Sequence, residues 1–430
     1  MAPFNTQMLE VLCCERSTSS SLAGHACLVR LARSAPKLSD VPRTPSMTGR
    51  CGASARRHIP ELTQSCFLWH ATLAERSRSG NPQKVTSLEF GGSCQMAESG
   101  ADAAAAREVQ VERELLQSGG VGGGTAYHGS VPVIDLALPE EVCAAAMWEA
   151  ATEVGFFTVI NHGIPTEAIE AAFGASTAFF GQEQKHKEAQ SPFARQLNSG
   201  YEYMTQVRPS TGTPDQKESL QITARAGAMD DRWPQTPADF EATARSFSTA
   251  AHALGQRILS LLEPQACPHL PVGTLAGAHT LWADDGQCTL RMLHYPPVEP
   301  AEVPPNYWRA GPHTDWCCAT LLFQLPGNEG LECAANPRAG GGAGWLRVDP
   351  VEGGIAINIG DMLSRWSDDR LLSNLHRVRM PTPAEATPPK SRYSIAFFMQ
   401  ADKQVLIESR HGAITAGDYI LGRIRSNFAK

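Results

Sequence analysis

Beyond Thr289 no stretch of the chain keeps a helical period. Short runs of β-forming residues alternate instead with Pro and Gly breaks, at Leu290 to Tyr295, Ala319 to Gln324, Leu346 to Val348, Ile355 to Ile359 and Tyr393 to Met399. Strands this short cannot bury an apolar face alone, and a series of them separated by turns closes into a sandwich or barrel. Upstream the texture is mixed. Val-Pro-Val-Ile-Asp-Leu from Val131 reads as a strand, and Pro139-Glu140-Glu141 opens a helix that runs to Val154 and stops at Gly155. Phe156 to Ile160 is a buried strand closed by Asn161-His162-Gly163. Between Pro237 and Leu262 the apolar residues Phe240, Ala244, Phe247, Ala251, Leu254, Ile258 and Leu261 recur at alternating spacings of 4 and 3. They form one face of a long helix that should pack on a sheet. The expected class is therefore mixed α+β.

The first 95 residues differ from the rest. They are rich in Ser and Arg, show no period of 2 or 3.6, and carry 11 Lys/Arg against 6 Asp/Glu, whereas residues 96–430 carry 26 against 38. Such a segment reads as disordered, and as either an organellar transit peptide or a start placed upstream of Met96. Ala97 to Leu116 suits a short helix, and Gly119 to Gly124 a flexible connector. The acidic body argues against nucleic acid as a partner, because phosphate binding needs a clustered basic face. No window approaches the roughly 18 consecutive apolar residues of a membrane span, so no membrane partner is expected. The 12 cysteines show no C-x-x-C pair and include the neighbours Cys317-Cys318, which favours free thiols in a reducing, cytoplasmic setting unless the first 95 residues direct import. Oligomeric state is not legible.

Gly311-Pro312-His313-Thr314-Asp315-Trp316 enters a strand, where residues i and i+2 share a side. One imidazole and one carboxylate could then reach the same ion, and a second imidazole would make the set that suits iron(II) with an open face. Alone, His-x-Asp reads rather as a hydrogen-bonded pair at a strand edge. The wider context is more specific. Gly353 to Val378 contains Asn-Ile-Gly-Asp-Met-Leu and Asn-Leu-His-Arg-Val, and Arg392-Tyr393-Ser394-Ile395-Ala396-Phe397-Phe398 follows. A His-x-Asp pair, a distal His about sixty residues later and an Arg-x-Ser some sixteen beyond it resemble the iron(II)- and 2-oxoglutarate-dependent oxygenases, in the branch of isopenicillin N synthase and the plant flavonoid and gibberellin dioxygenases. Gly155-Phe156-Phe157, Asn161-His162-Gly163-Ile164-Pro165 and Asp215 to Ile222 extend the likeness over residues 130–410.

The resemblance implies a double-stranded β-helix, or jelly-roll, core over 285–410 with flanking helices from an N-terminal α/β region over 130–265, after an extension over 1–125. It implies His313, Asp315 and His376 as ligands of Fe(II), with 2-oxoglutarate and O2 as co-substrates and ascorbate as a stimulant. The single carboxylate leaves a charge on the iron that a bound 2-oxoacid completes. Arg392 and Ser394, two apart on one strand, would hold the distal carboxylate, with Tyr295 assisting. Leu293 stands where plant members often carry Asn, so part of the usual polar network is missing. His162, His294 and His411 are poorer ligand candidates. Trp316, Phe397, Phe398 and Met399 read as core, or else as pocket wall, and Ser191 to Val207, with Arg195, Asn198, Tyr201 and Tyr203, as a lid or a solvated loop. The implied activity is oxidation, most commonly hydroxylation, of a small organic molecule with release of succinate and carbon dioxide. A 2-oxoglutarate-independent oxidase or cyclase and a silent jelly-roll binding protein are the alternatives.

Overall fold

The computed structural model describes residues 100–119, 130–208, 210–299, 307–336 and 344–428. The basic segment 1–95 and the glycines 120–124 lie outside the described residues. The helix expected over Ala97 to Leu116 is α1, Gly100–Gly119.

Two sheets face each other. The larger runs in the order β1 (Val133–Asp135), β2 (Phe156–Ile160), β10 (Ile355–Ile359), β7 (Ala319–Gln324), β12 (Arg392–Met399), β5 (Thr289–Tyr295), β4 (Glu218–Thr223) and β3 (Gly200–Tyr203). The smaller runs β6 (Ala310–His313), β11 (His376–Val378), β8 (Leu331–Ala334) and β9 (Trp345–Arg347). Only β1 and β2 pair in parallel among these described strands. A ribbon of β13 (Leu406–Ile407) and β14 (Ile414–Thr415) leads into α8, Ala416–Phe428. The remaining helices are α2 (Glu140–Glu153), α3 (Thr166–Phe180), α4 (Gln184–Gln190), α5 (Phe240–Ala266), α6 (Thr274–Gly277) and α7 (Asp361–Trp366). Residues 130–265 thus supply four strands of the larger sheet as well as its helical cover.

Period-2 alternation divides the core into two layers. On β12, Ile395, Phe397 and Met399 join Leu290 and Met292 of β5 and Phe247, Leu254 and Ile258 of α5 on the helical side. Ala396 and Phe398, with Leu293, Tyr295 and Phe156, face Ala310, Leu331, Cys333 and Val378 of the smaller sheet. The jelly-roll expectation is met. The long helix buries Phe240, Ala244, Phe247, Ala251, Leu254, Ile258 and Leu262; Leu261 is only partly covered, because the 3.6-residue period has drifted by that turn. Gly255 lets this helix approach the sheet, since a Cβ there would sit 2.4 Å from Sδ of Met399. The six described cysteines are free and buried. No helix among the described residues is long and apolar enough to cross a membrane.

Candidate active site

The adjacency of β6 and β11 brings His313 opposite His376, with ring centres 4.2 Å apart. Strand parity alone does not place Asp315, because β6 ends at His313 and Asp315 lies two residues into the following loop. That loop is tied down from the β10–α7 turn. The Asp361 amide donates to the Asp315 carbonyl at 2.7 Å and the Gly360 amide to Cys318 O at 3.0 Å. No side chain fits at Gly360, where a Cβ would lie 2.1 Å from Cys317 O. The carboxylate then stands 3.8 Å from Nε2 of His313 and 3.6 Å from Nε2 of His376. One donor atom from each of the three residues falls within 4.8 Å of the other two, a group that could hold a metal ion.

Each of these side chains is oriented by another. The Nδ1–H of His313 donates to Gly311 O at 2.7 Å, and that of His376 faces Asn374 O at 3.3 Å, so both Nε2 lone pairs point to the shared centre. Asn374 is itself pinned, donating through Nδ2 to Val154 O and Ala334 O. Gly155, at φ +77°, permits this close approach; a Cβ there would meet Leu372 O at 2.7 Å. Phe156 packs edge-on against the His376 ring at 5.4 Å. Oδ2 of Asp315 accepts from Thr320 Oγ1 at 2.6 Å and Asn358 Nδ2 at 2.9 Å. Burial pushes the Asp315 carboxyl up, but His376, these two donors and the Arg291 charge outweigh it and hold the group below the usual carboxylate range. Burial, and then the charges of Arg208, His376 and Lys217, keep His313 well below its ordinary value. An ionised carboxylate beside a neutral imidazole is the donor set a divalent cation requires.

Arg392, Ser394 and Tyr295 also converge. Arg392 pairs with Tyr295 across β12 and β5, and its guanidinium lies 4.8 Å from that ring centre. It is 1 % exposed, which rules out a surface salt bridge. It donates to Ser394 Oγ at 3.2 Å, Gln324 Oε1 at 3.1 Å and Asn328 O at 2.9 Å, all neutral acceptors. Burial lowers its pKa against the opposing pull of Tyr295.

A cavity of about 700 Å³ reaches His313 and Asp315 and is walled by Trp316, Phe398, Arg291, Gln221 and Tyr201 among others. Trp316 and Phe398 are therefore pocket wall, while Phe397 and Met399 are core on the opposite side of β12. The segment 191–207 lines the same cavity through Arg195, Asn198, Tyr201 and Tyr203, and part of it forms β3. Ile420, Leu421 and Ile424 of α8 close another side. His162 turns inward within its own Asn-His-Gly bend, where its Nδ1 accepts from the Ile164 amide, and His294 binds Glu218 and Ser391; neither approaches the three. Sequence reasoning missed Thr320, Gln324, Asn328 and Arg291. It noticed the run containing Asn358 but gave that residue no task.

Comparison with known proteins identifies the family. Residues 286–401 match the family described as the 2OG-Fe(II) oxygenase superfamily, and residues 131–239 match the non-haem dioxygenase in morphine synthesis N-terminal family. The chain is 30% identical over 280 residues to a 2-oxoglutarate-Fe(II) type oxidoreductase, hxnY, of Emericella nidulans, covering 61% of this chain and 75% of that protein. It is 28% identical to gibberellin 2-beta-dioxygenase 5 of Oryza sativa subsp. japonica, covering 70% and 85% respectively. Among solved structures, a full-length Neurospora crassa protein in complex with alpha-KG and thymine superposes with a TM-score of 0.58 at 26% identity, over 71% of this chain and 100% of that one. The chain belongs to the iron(II)- and 2-oxoglutarate-dependent oxygenase superfamily and is a 2-oxoglutarate-dependent dioxygenase.

Proposed function

We propose that His313, Asp315 and His376 hold the iron, that Arg392, Ser394 and Tyr295 hold the distal carboxylate of 2-oxoglutarate, and that the enzyme hydroxylates a small organic substrate seated in the 700 Å³ cavity. The observation that carries this reading is the meeting of three donor atoms within 4.8 Å, each on a side chain already fixed by its neighbours.

Bound iron(II) with 2-oxoglutarate and O2 supplies an oxidant strong enough for an inert C–H bond, with succinate and carbon dioxide as by-products. The chain's own residues do the rest. The two Nε2 atoms and an Asp315 oxygen would hold the iron, and three protein ligands would leave room for exchangeable ones. Thr320 and Asn358 hold the second Asp315 oxygen, so the carboxylate cannot swing to bind through both. The guanidinium of Arg392 fixes the far end of the co-substrate, and with it the direction from which the keto-acid head approaches. Trp316 and Phe398 exclude water from the reacting end of the cavity. Arg291, packed on Phe398 at 4.9 Å and bonded only to Gln221 among the described side chains, offers guanidinium donors to a polar group of the substrate. Ascorbate supports turnover by keeping iron reduced.

The test is succinate release from 2-oxoglutarate with Fe(II) under air, alongside anaerobic iron titration. His376→Ala should lose turnover and weaken iron binding by at least about 100-fold, in line with loss of a ligand outright. Unchanged turnover in that variant would remove His376 from the centre.

A further inference from the structure

Arg309 immediately precedes β6 and is 5 % exposed. Among the described residues its Nε has no partner, and its one side-chain hydrogen bond is a long one of 3.4 Å to Lys390 O. Its guanidinium lies 6.0 Å from the centre of the Tyr295 ring, the same ring that Arg392 covers at 4.8 Å. Arg309 and Arg392 also border one small void of about 20 Å³. Neither forms an ion pair with any described carboxylate. Of the acids bordering the void, Glu385 is taken by Arg379 through two hydrogen bonds of 2.6 and 2.7 Å, and Glu329 reaches Arg392 only through its field. Burial first, and then the Arg392 charge, push Arg309 down to about 10.

Two like charges buried around one ring, opposed only through the fields of Glu385 and Glu329, are costly, and an anion bound by both offsets that cost. A carboxylate suits the place, because each guanidinium presents a planar fork of donors and Nε of Arg309 is unused. We propose that Arg309 is a second co-substrate-binding residue, so that the distal carboxylate of 2-oxoglutarate is held between two guanidiniums, those of Arg392 and Arg309. This rests on the assignment of Arg392 above. It makes the site selective for a keto acid with a second carboxylate, since a monocarboxylate such as pyruvate leaves both guanidiniums unneutralised.

The experiment is anaerobic binding of 2-oxoglutarate and of pyruvate to the full-length Fe(II) protein, read by the visible absorption of the chelated keto acid and by calorimetry, with iron affinity measured in parallel. In Arg309→Gln, 2-oxoglutarate should bind roughly 10- to 100-fold more weakly, the range for losing a hydrogen bond to a charged group. Pyruvate and iron affinities should not move. Wild-type affinity for 2-oxoglutarate, or equal losses for both keto acids, would overturn the proposal. If the Gln variant does not fold, Arg309→Lys decides: it keeps the charge but not the fork, so weaker 2-oxoglutarate binding with unchanged pyruvate binding supports the pairing and wild-type binding refutes it. Arg392→Gln separates the two readings. If it retains 2-oxoglutarate affinity, the Arg392 assignment itself is wrong; if it loses affinity while Arg309→Gln does not, only the second guanidinium is.

Discussion

At Asp315 the chain depends on two neutral donors, Thr320 and Asn358, contributed by adjacent strands of the larger sheet. Removing one frees the carboxylate to rotate, so Asn358→Ala should weaken iron binding by about 10- to 100-fold and lower the stability of the metal-free protein by roughly 1–3 kcal/mol. Iron titration beside a melting curve would show both, and an unchanged affinity would contradict the account. Glu385 illustrates a purely structural carboxylate. The hydrogen bonds from Arg379 have the largest effect; burial opposes them, and the bonds from Thr382 with the Arg379 charge complete the fall to about 2. Because its folded pKa lies below the unfolded value of 4.5, it contributes stability that is complete above about pH 4.5 and lost as pH falls toward 2. Its partial exposure keeps that contribution small. Urea unfolding of Glu385→Gln should therefore differ from the parent at pH 6 and converge with it toward pH 2.

Among the elements, α1 and α8 show how sequence outside the family-matched regions reaches the site. Arg423 of α8 is fully buried, pairs with Glu112 of α1 at 3.0 Å and with Asp361 at 3.1 Å, and covers Trp316 at 5.4 Å. It links a helix that walls the cavity to the turn whose amide holds Asp315. Arg423→Met should speed hydrogen exchange across 416–428 by at least about tenfold and lower stability by roughly 3–5 kcal/mol, the usual cost of breaking a buried pair. Parent-like exchange in that helix would mean that apolar packing alone holds it. The sequence was most legible where local pattern and tertiary demand coincide. Ala319–Gln324, Ile355–Ile359 and Phe156–Ile160 appear at their expected bounds, because all are apolar runs flanked by turns. Strands β3, β4, β8 and β11 escaped because their residues are polar, small or too few to show a period; the strand expected at Gly311 to Trp316 is β6, which ends already at His313, and His376–Val378 is a strand only through its neighbours. The six named site residues form two tight groups, His313 with Asp315 and His376, and Arg392 with Ser394 and Tyr295. Arg309, Thr320, Gln324 and Asn328 carried no signal, as the partners that tie them to the site lie 14 residues or more away or, for Thr320, in a loop whose course the sequence does not reveal.

For the molecule as a whole, the candidate metal ligands belong to the smaller sheet and its loop, while the residues that orient Asp315 belong to the larger. A bound ion therefore ties the two layers, and it stabilises by mass action, by roughly 2.7 kcal/mol when free metal is a hundredfold above its dissociation constant. Stripping metal with a chelator should lower the melting temperature, and Fe(II) should restore it under anaerobic conditions. His376→Ala should show neither change, which separates site binding from general salt effects.

The pairing of β6 with β11 carries one more consequence, for the order in which a ribosome delivers the parts. His313 and Asp315 leave the tunnel first, and His376 trails by 63 residues. At bacterial or eukaryotic elongation rates of about 5–20 residues per second, the first two wait roughly 3–13 s for the third. During that interval the nascent chain holds an imidazole and a carboxylate but no closed cage, so capture of a metal ion by this candidate set would belong to the end of synthesis, after the last strand of the smaller sheet has docked.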